Sequence, residues 1–188
     1  MSEEFTFLLD HLADESRPVR ALNLAPLSDL PRALLPRLRA ACQAFAPPRR
    51  LELVHVMVEQ AEANIHLCFH TVFRECLTYA DAQVRRLAVE GLWEDERPSL
   101  VSPLLTLLTA DPAVEVRAAA AISLGRFMLM GVLGEISDGY AAQVKSALTA
   151  AWNRPGETTE VRRRALEALA YLNEQVLYAL MDLSLIHI

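Results

Sequence analysis

A short phrase built around a Val-Arg step recurs along the chain, and it limits the fold more than any other feature. It is clearest from 111 to 124, where Asp111, Pro112, Val116, Arg117, Ala120 and Leu124 follow in order. The order returns as Asp81, Val84, Arg85, Ala88 and Leu92, and as Thr159, Val161, Arg162, Ala165 and Leu169. A fainter copy carries Asp14, Pro18, Val19, Arg20 and Leu22. The step therefore falls at 19–20, 84–85, 116–117 and 161–162, with intervals of 65, 32 and 45 residues. The first interval is twice the usual unit, so a degenerate copy is expected inside it. Residues 47–57 supply one, with Arg49 in the place of the valine and Leu53, Val54 and Met57 at apolar positions. Self-similarity at such a period marks stacked supersecondary units.

Each phrase reads as a helix start. The aspartate is an N-cap, proline suits the first turn, and the valine begins an inward row continued one and two turns later. Upstream lie further amphipathic segments at 30–45, 65–77, 100–108 and 140–152. Each unit is then helix A, a short turn, and helix B. One such pair cannot bury both apolar faces, and stacking neighbours does. The composition agrees: 53% of residues are hydrophobic, aromatics are 6%, glycines number six, and no stretch alternates as a strand would.

The phrase Asp-Pro-x-Val-Arg-x-x-Ala-Ala-x-Ala-Leu is similar to the HEAT repeat, specifically the short bacterial type also found in phycobilisome-lyase-like proteins. The likeness is strong at 81–124 and 159–172, moderate at 14–27 and weak at 47–57. It implies an all-α fold, a right-handed α-solenoid of about five helix pairs. It implies one domain over 1–188, with repeats near 5–29, 30–63, 64–97, 98–134 and 138–173. Residues 174–188 read as the start of a truncated repeat or as a non-native tail, because Leu185, Ile186 and Ile188 offer no polar outer face. The resemblance also implies a structural ladder. In it Arg20, Arg85, Arg117 and Arg162 pair with acids in the next repeat's turn, and Asp14, Asp81 and Asp111 take part.

Two segments depart from the pattern. The helix begun near 114 runs on through Gly125, Arg126, Phe127 and Met130 to Leu133, and a loop over 134–139 follows. This extension is apolar on all sides. It either covers a neighbouring loop or offers Phe127 and Met130 to a partner, since methionine adapts to varied surfaces. The loop over 153–159 is also longer than a tight turn.

In a stack of this type the B helices line the concave face. With 84, 88 and 92 turned inward, Arg86 and Glu90 turn outward. The equivalent positions are Ala118, Ile122 and Arg126, then Arg163, Glu167 and Tyr171, and in the degenerate copy Leu51, His55 and Glu59. The expected partner contacts are therefore Arg86, Glu90, Ile122, Arg126, Phe127, Met130, Arg163, Glu167 and Tyr171. The strip mixes charged, aromatic and apolar side chains, which suits a protein or peptide better than a phosphate track. The function expected is a non-enzymatic protein-binding scaffold. The alternative is a bilin-lyase-like enzyme or enzyme subunit, and a nucleic-acid-binding or DNA-repair role is less favoured.

Several chemistries are disfavoured. The net charge of −6 opposes nucleic acid as partner, and only Lys145 among the 18 basic residues is a lysine. Trp93 and Trp152 are available to a DNA-repair surface, but Trp93 closes a helix B, where core packing is the simpler account. No histidine is followed by glutamate, which sets aside the di-iron hydroxylases of the superfamily. Walker A, GxSxG and GxGxxG are absent. His66 and His70 stand four apart with Cys68 between them and Glu62 a turn earlier. On one helix this spacing suits a metal, but no further ligand is defined, so no metal or cofactor is expected. Cys42, Cys68 and Cys76 form no CxxC pair and read as reduced thiols of a cytoplasmic protein. The opening Met1-Ser2-Glu3-Glu4 is unlike a secretory signal, and no run of eighteen apolar residues exists to span a membrane.

Overall fold

A computed structural model describes residues 2–172. The expectations for 174–188 lie outside the described residues. Every regular element among the described residues is a helix. The chain divides into two compact units, Met1–Glu94 and Asp95–Ile188.

The first unit opens with α1 (Ser2–Ala13), whose Phe5, Leu8 and Leu12 recur at helical spacing and are buried. The expected helix B of the first repeat does not form. Residues Ala21–Asn23 and Ala25–Leu27 are two 3-10 turns instead. The cause is local. The Asp14 side chain accepts the Ser16 amide at 3.1 Å and the Ser16 hydroxyl at 2.5 Å, which curls the chain away from α1. Pro18 stands four residues after the aspartate, where a helix needs an amide, and it disfavours helical geometry at Arg17. Leu24 and Leu27 still reach the core and are fully buried.

A third 3-10 turn, Arg32–Leu34, leads into α2 (Leu35–Ala44). The degenerate copy is a helix, α3 (Pro47–Ala63), with both prolines in its first turn. Next come α4 (His70–Cys76) and α5 (Ala82–Gly91). Asp81 caps α5, accepting from the amides of Gln83 and Val84 at 2.8 and 3.4 Å. Phe73 of α4 lies against Gly91 so closely that a Cβ there would sit 2.5 Å from the ring. Phe69 meets Phe73 edge to face at 6.1 Å.

The second unit holds α6 (Val101–Ala110), α7 (Val114–Val132), α8 (Asp138–Asn153) and α9 (Thr159–Leu169). The inward row is as the phrase requires: Val116, Ala120 and Leu124 on α7, and Val161, Ala165 and Leu169 on α9, are buried. Small residues let the axes approach. A Cβ on Gly125 would meet that of Ala168 at 3.2 Å, and one on Gly131 would meet that of Ala141 at 2.7 Å.

The long α7 ends in a Schellman turn. Gly134 adopts a φ of 73°, its amide reaches Gly131 O at 3.2 Å, and the Glu135 amide reaches Met130 O at 2.8 Å. The chain then turns inward at the buried Ile136 and re-enters helix at Asp138. In each unit the second helices of successive pairs pack on one another, α3 on α5 and α7 on α9. The first helices do the same, α2 on α4 and α6 on α8.

Candidate partner-binding faces

The arginine that follows each inward valine has a shared task. It sits in the first turn of helix B and reaches back to main-chain carbonyls at the end of helix A or in the turn that follows it. Arg85 donates to Tyr79 O and Ala80 O at 2.7 and 2.8 Å. Arg117 donates to Asp111 O and Pro112 O at 2.8 and 3.1 Å. Arg162 donates to Trp152 O at 2.8 Å. Arg50, at the matching position of α3, does so weakly toward Cys42 O and Gln43 O, at 3.4 and 3.5 Å. The carbonyls of Cys42, Gln43 and Trp152 lie in the last turn of a helix and carry the negative end of its dipole, and the others lie in the turn that follows, so a cation suits them.

Arg117 does more. Its fork closes on Glu157 with bonds of 3.1 and 2.7 Å, in the turn that precedes α9. Burial alone would push Glu157 up, but the bonds from Arg117 and the Thr158 amide outweigh it and hold the carboxyl below its ordinary value. This acid, only 2% exposed at its side chain, lies in a loop outside the repeated phrase, so the pattern does not point to it. Asp111 instead accepts the Ala113 amide at 2.9 Å, three residues before α7 begins. Asp14 serves its own turn and pairs with Arg17 at 3.0 Å.

The ladder expected at Arg20 needs correction. With no helix B there, Arg20 is an exposed loop residue whose carbonyl accepts from Asn23. Arg49 serves the same region instead. Only 4% exposed, it donates to Leu12 O at 2.8 Å, Arg17 O at 2.8 Å, Asp14 O at 3.4 Å and Glu52 at 2.8 Å. Glu52 in turn accepts the Val19 amide at 2.9 Å. An arginine in place of the valine thus holds the irregular segment that stands where helix B should be.

The expected contact residues fall into two groups. On α5, Glu90 is exposed and Arg86 half-buried, joined at 2.5 Å. On α9, Arg163 pairs with Glu160 at 3.0 Å and Glu167 at 3.5 Å, and Arg164 bridges the same two acids. Ile122 is 43% exposed and Tyr171 is 51% exposed. Gly125 lies one turn from Ile122, and a Cβ there would meet the Tyr171 ring at 3.5 Å, so these two residues share one face.

The remaining residues are placed differently. Phe127 is fully buried and Met130 nearly so, because α7 packs on α6, α8 and α9 together. The exposed apolar residues of this extension are Leu129, Val132 and Leu133. Ala118 is buried as well. Arg126 is half-buried, donates to Asp95 O at 3.0 Å and lies 5.0 Å from the Phe127 ring centroid. Burial lowers its pKa against the pull of Glu96 and Asp95. Arg126 therefore faces its own unit. Trp93 is exposed and Leu92 takes the core position.

His66 and His70 do not share a helix. His66 lies in the turn after α3, where its amide bonds the Asn64 side chain, and His70 is the first residue of α4. Among the described residues no three His, Cys, Asp or Glu side chains are grouped to hold a metal. No helix among them is long and apolar enough to cross a membrane.

The sequence model of the family described as HEAT repeats matches residues 71–170. The chain belongs to the HEAT-repeat family. The match begins one residue after α4 opens and runs through α9, taking in three of the HEAT helix pairs. Comparison with curated proteins and with solved structures found no match.

Proposed function

We propose that this HEAT-repeat protein is a non-enzymatic scaffold that binds a protein or peptide on the exposed face of its second helices. HEAT repeats commonly serve as protein-interaction scaffolds. The observation that carries the reading is the pairing of Ile122 with Tyr171. Two large side chains stand in solvent on one face of α7 and the chain following α9, with the charged row of Arg163 and Glu167 on α9. An aromatic and an aliphatic anchor beside a polar rim is the composition of a protein interface. Arg86 and Glu90 are assigned the same role on α5.

The reading of 1–188 as one repeat domain with right-handed winding belongs to this proposal. Its support is that the family match runs through the Glu94–Asp95 boundary. So does a cytoplasmic location, supported by three free cysteines.

The test is affinity capture from the source organism with mass spectrometry, comparing wild type with Arg163→Glu and Ile122→Glu. A protein complex that tolerates salt and is weakened about tenfold by either substitution is expected. Equal recovery by all three baits, or no protein recovered, removes the assignment.

A further inference from the structure

A groove of about 1270 Å³ lies beside α1 in the first unit. It exists because the first repeat lacks its second helix. One wall is the face of α1 carrying Glu3, Glu4, Phe7 and His11, and the other is the segment carrying Arg17, Arg20 and Leu22. Asn23 Nδ2 donates to His11 Nε2 at 2.6 Å, tying the two walls together. Phe7 is 75% exposed and Leu22 is 90% exposed, two large apolar side chains standing in solvent on this groove.

Three features define what fits. The volume exceeds the roughly 300–1,000 Å³ of small-molecule sites, so a polypeptide segment is the natural scale. The α1 wall presents its side chains at i, i+4 and i+8, a ridge that interdigitates with another helix. The charge is polarised along the groove. Glu3 and Glu4 stand at the start of α1, about 12 Å of helix rise from His11. Arg17 stands past its far end, where the Asp14 amide bonds His11 O and the Arg17 amide bonds Asp14 O. Arg20 follows on the same side and is exposed.

We propose that this groove receives an amphipathic helix of a partner protein. That helix covers Phe7 and Leu22 with apolar residues one turn apart. It is basic at the end meeting Glu3 and Glu4 and acidic at the end meeting Arg20, since Arg17 is already paired with Asp14. It packs between α1 and the irregular segment that stands where the second helix of the first repeat would be. The site is separate from the exposed helix-B face of the second unit, and the two assignments stand or fall independently.

The experiment is to pan a displayed library of amphipathic helical peptides on the full chain, counter-selecting on Leu22→Glu. Phe7 and Leu22 are solvent-exposed, and unchanged circular dichroism and thermal unfolding verify that the variants fold. Survivors are expected to carry apolar residues at i, i+3 or i+4, and i+7, with opposite charges at their two ends. Their affinity should fall about tenfold or more on Phe7→Ser. The double variant Glu3→Lys, Glu4→Lys should prefer peptides of reversed polarity. Peptides that bind Leu22→Glu as well as wild type, survivors without charge polarity, or no enrichment would overturn the proposal. Binding lost on Ile122→Glu but kept on Leu22→Glu overturns it too, while leaving the proposed function standing.

Discussion

The first residues of one unit and the helices of the other solve the same problem with opposite means. Over 14–27 the regular pair is lost, and a buried arginine restrains the backbone through three carbonyls and one carboxylate. Over 114–169 the pairs are regular, and alanine and glycine let α7 and α9 close on each other directly. Where helices fit, small side chains suffice. Where a helix is missing, polar groups must be satisfied one at a time, and a five-donor side chain does that best.

The contrast can be broken by substitution. The largest effect is expected from Arg49→Ala, which strips several buried acceptors of their donor and should cost about 3 kcal/mol or more in chemical denaturation. Arg49→Lys keeps the charge but loses the fork, and should recover less than half of that. A loss below about 1 kcal/mol for Arg49→Ala would show that the irregular segment stands without it.

Overpacking the other region should come next. Gly125→Leu forces α7 from Ala168 and the Tyr171 ring, at a cost of about 1–3 kcal/mol. An unchanged melting temperature would mean that α7 and α9 have slack between them.

Both regions contain a carboxylate held below its ordinary value of 4.5, Glu52 in the first and Glu157 in the second. For Glu52 burial pushes upward, and bonds from the Val19 amide and Arg49 prevail. A depressed folded pKa contributes stability that is fully present above 4.5 and is lost as pH falls through the folded value. Glu157 is the more enclosed, with its side chain 2% exposed against 38% for Glu52. Glu157→Gln should therefore cost about 1–3 kcal/mol at neutral pH and flatten the acid limb of the stability profile. A profile below pH 4.5 that matches wild type would assign the acid limb elsewhere.

The smallest effect separates the true arginine positions from the false one. Arg20→Ala should stay within about 0.5 kcal/mol of wild type, whereas Arg85→Ala should lose about 1–2 kcal/mol with its carbonyl bonds. Thiol chemistry offers a parallel check without mutation. Cys42 is pushed up to about 11 by burial, and burial pushes the fully enclosed Cys76 higher still, so the half-buried Cys68 should be alkylated first.

What could be read from the sequence followed periodicity. Val84, Val116 and Val161 and the residues one and two turns after them are core because a recurring phrase places them on one helix face. The phrase misleads at Arg20 because its proline stands four residues after the aspartate and not directly after it, as Pro112 follows Asp111, a difference in position that composition does not register. Phe127 is core where the sequence offers it to a partner, because α7 is apolar on every side and its pattern does not distinguish face from back. Glu157 and Arg49 depend on contacts between elements, Arg117 with a later loop and α3 with α1, which no local pattern encodes. Leu22 resembled a core residue of a helix that does not form, and it stands in solvent for that reason.

The four first-turn arginines all grip main-chain oxygen, an atom that every residue possesses. A clasp of that kind asks nothing of the side chains it holds. Helix pairs joined this way can be duplicated, exchanged or allowed to drift without a matching change elsewhere. A grafted second helix, such as residues 81–92 in place of 113–124, should find its anchor wherever a helix has just ended.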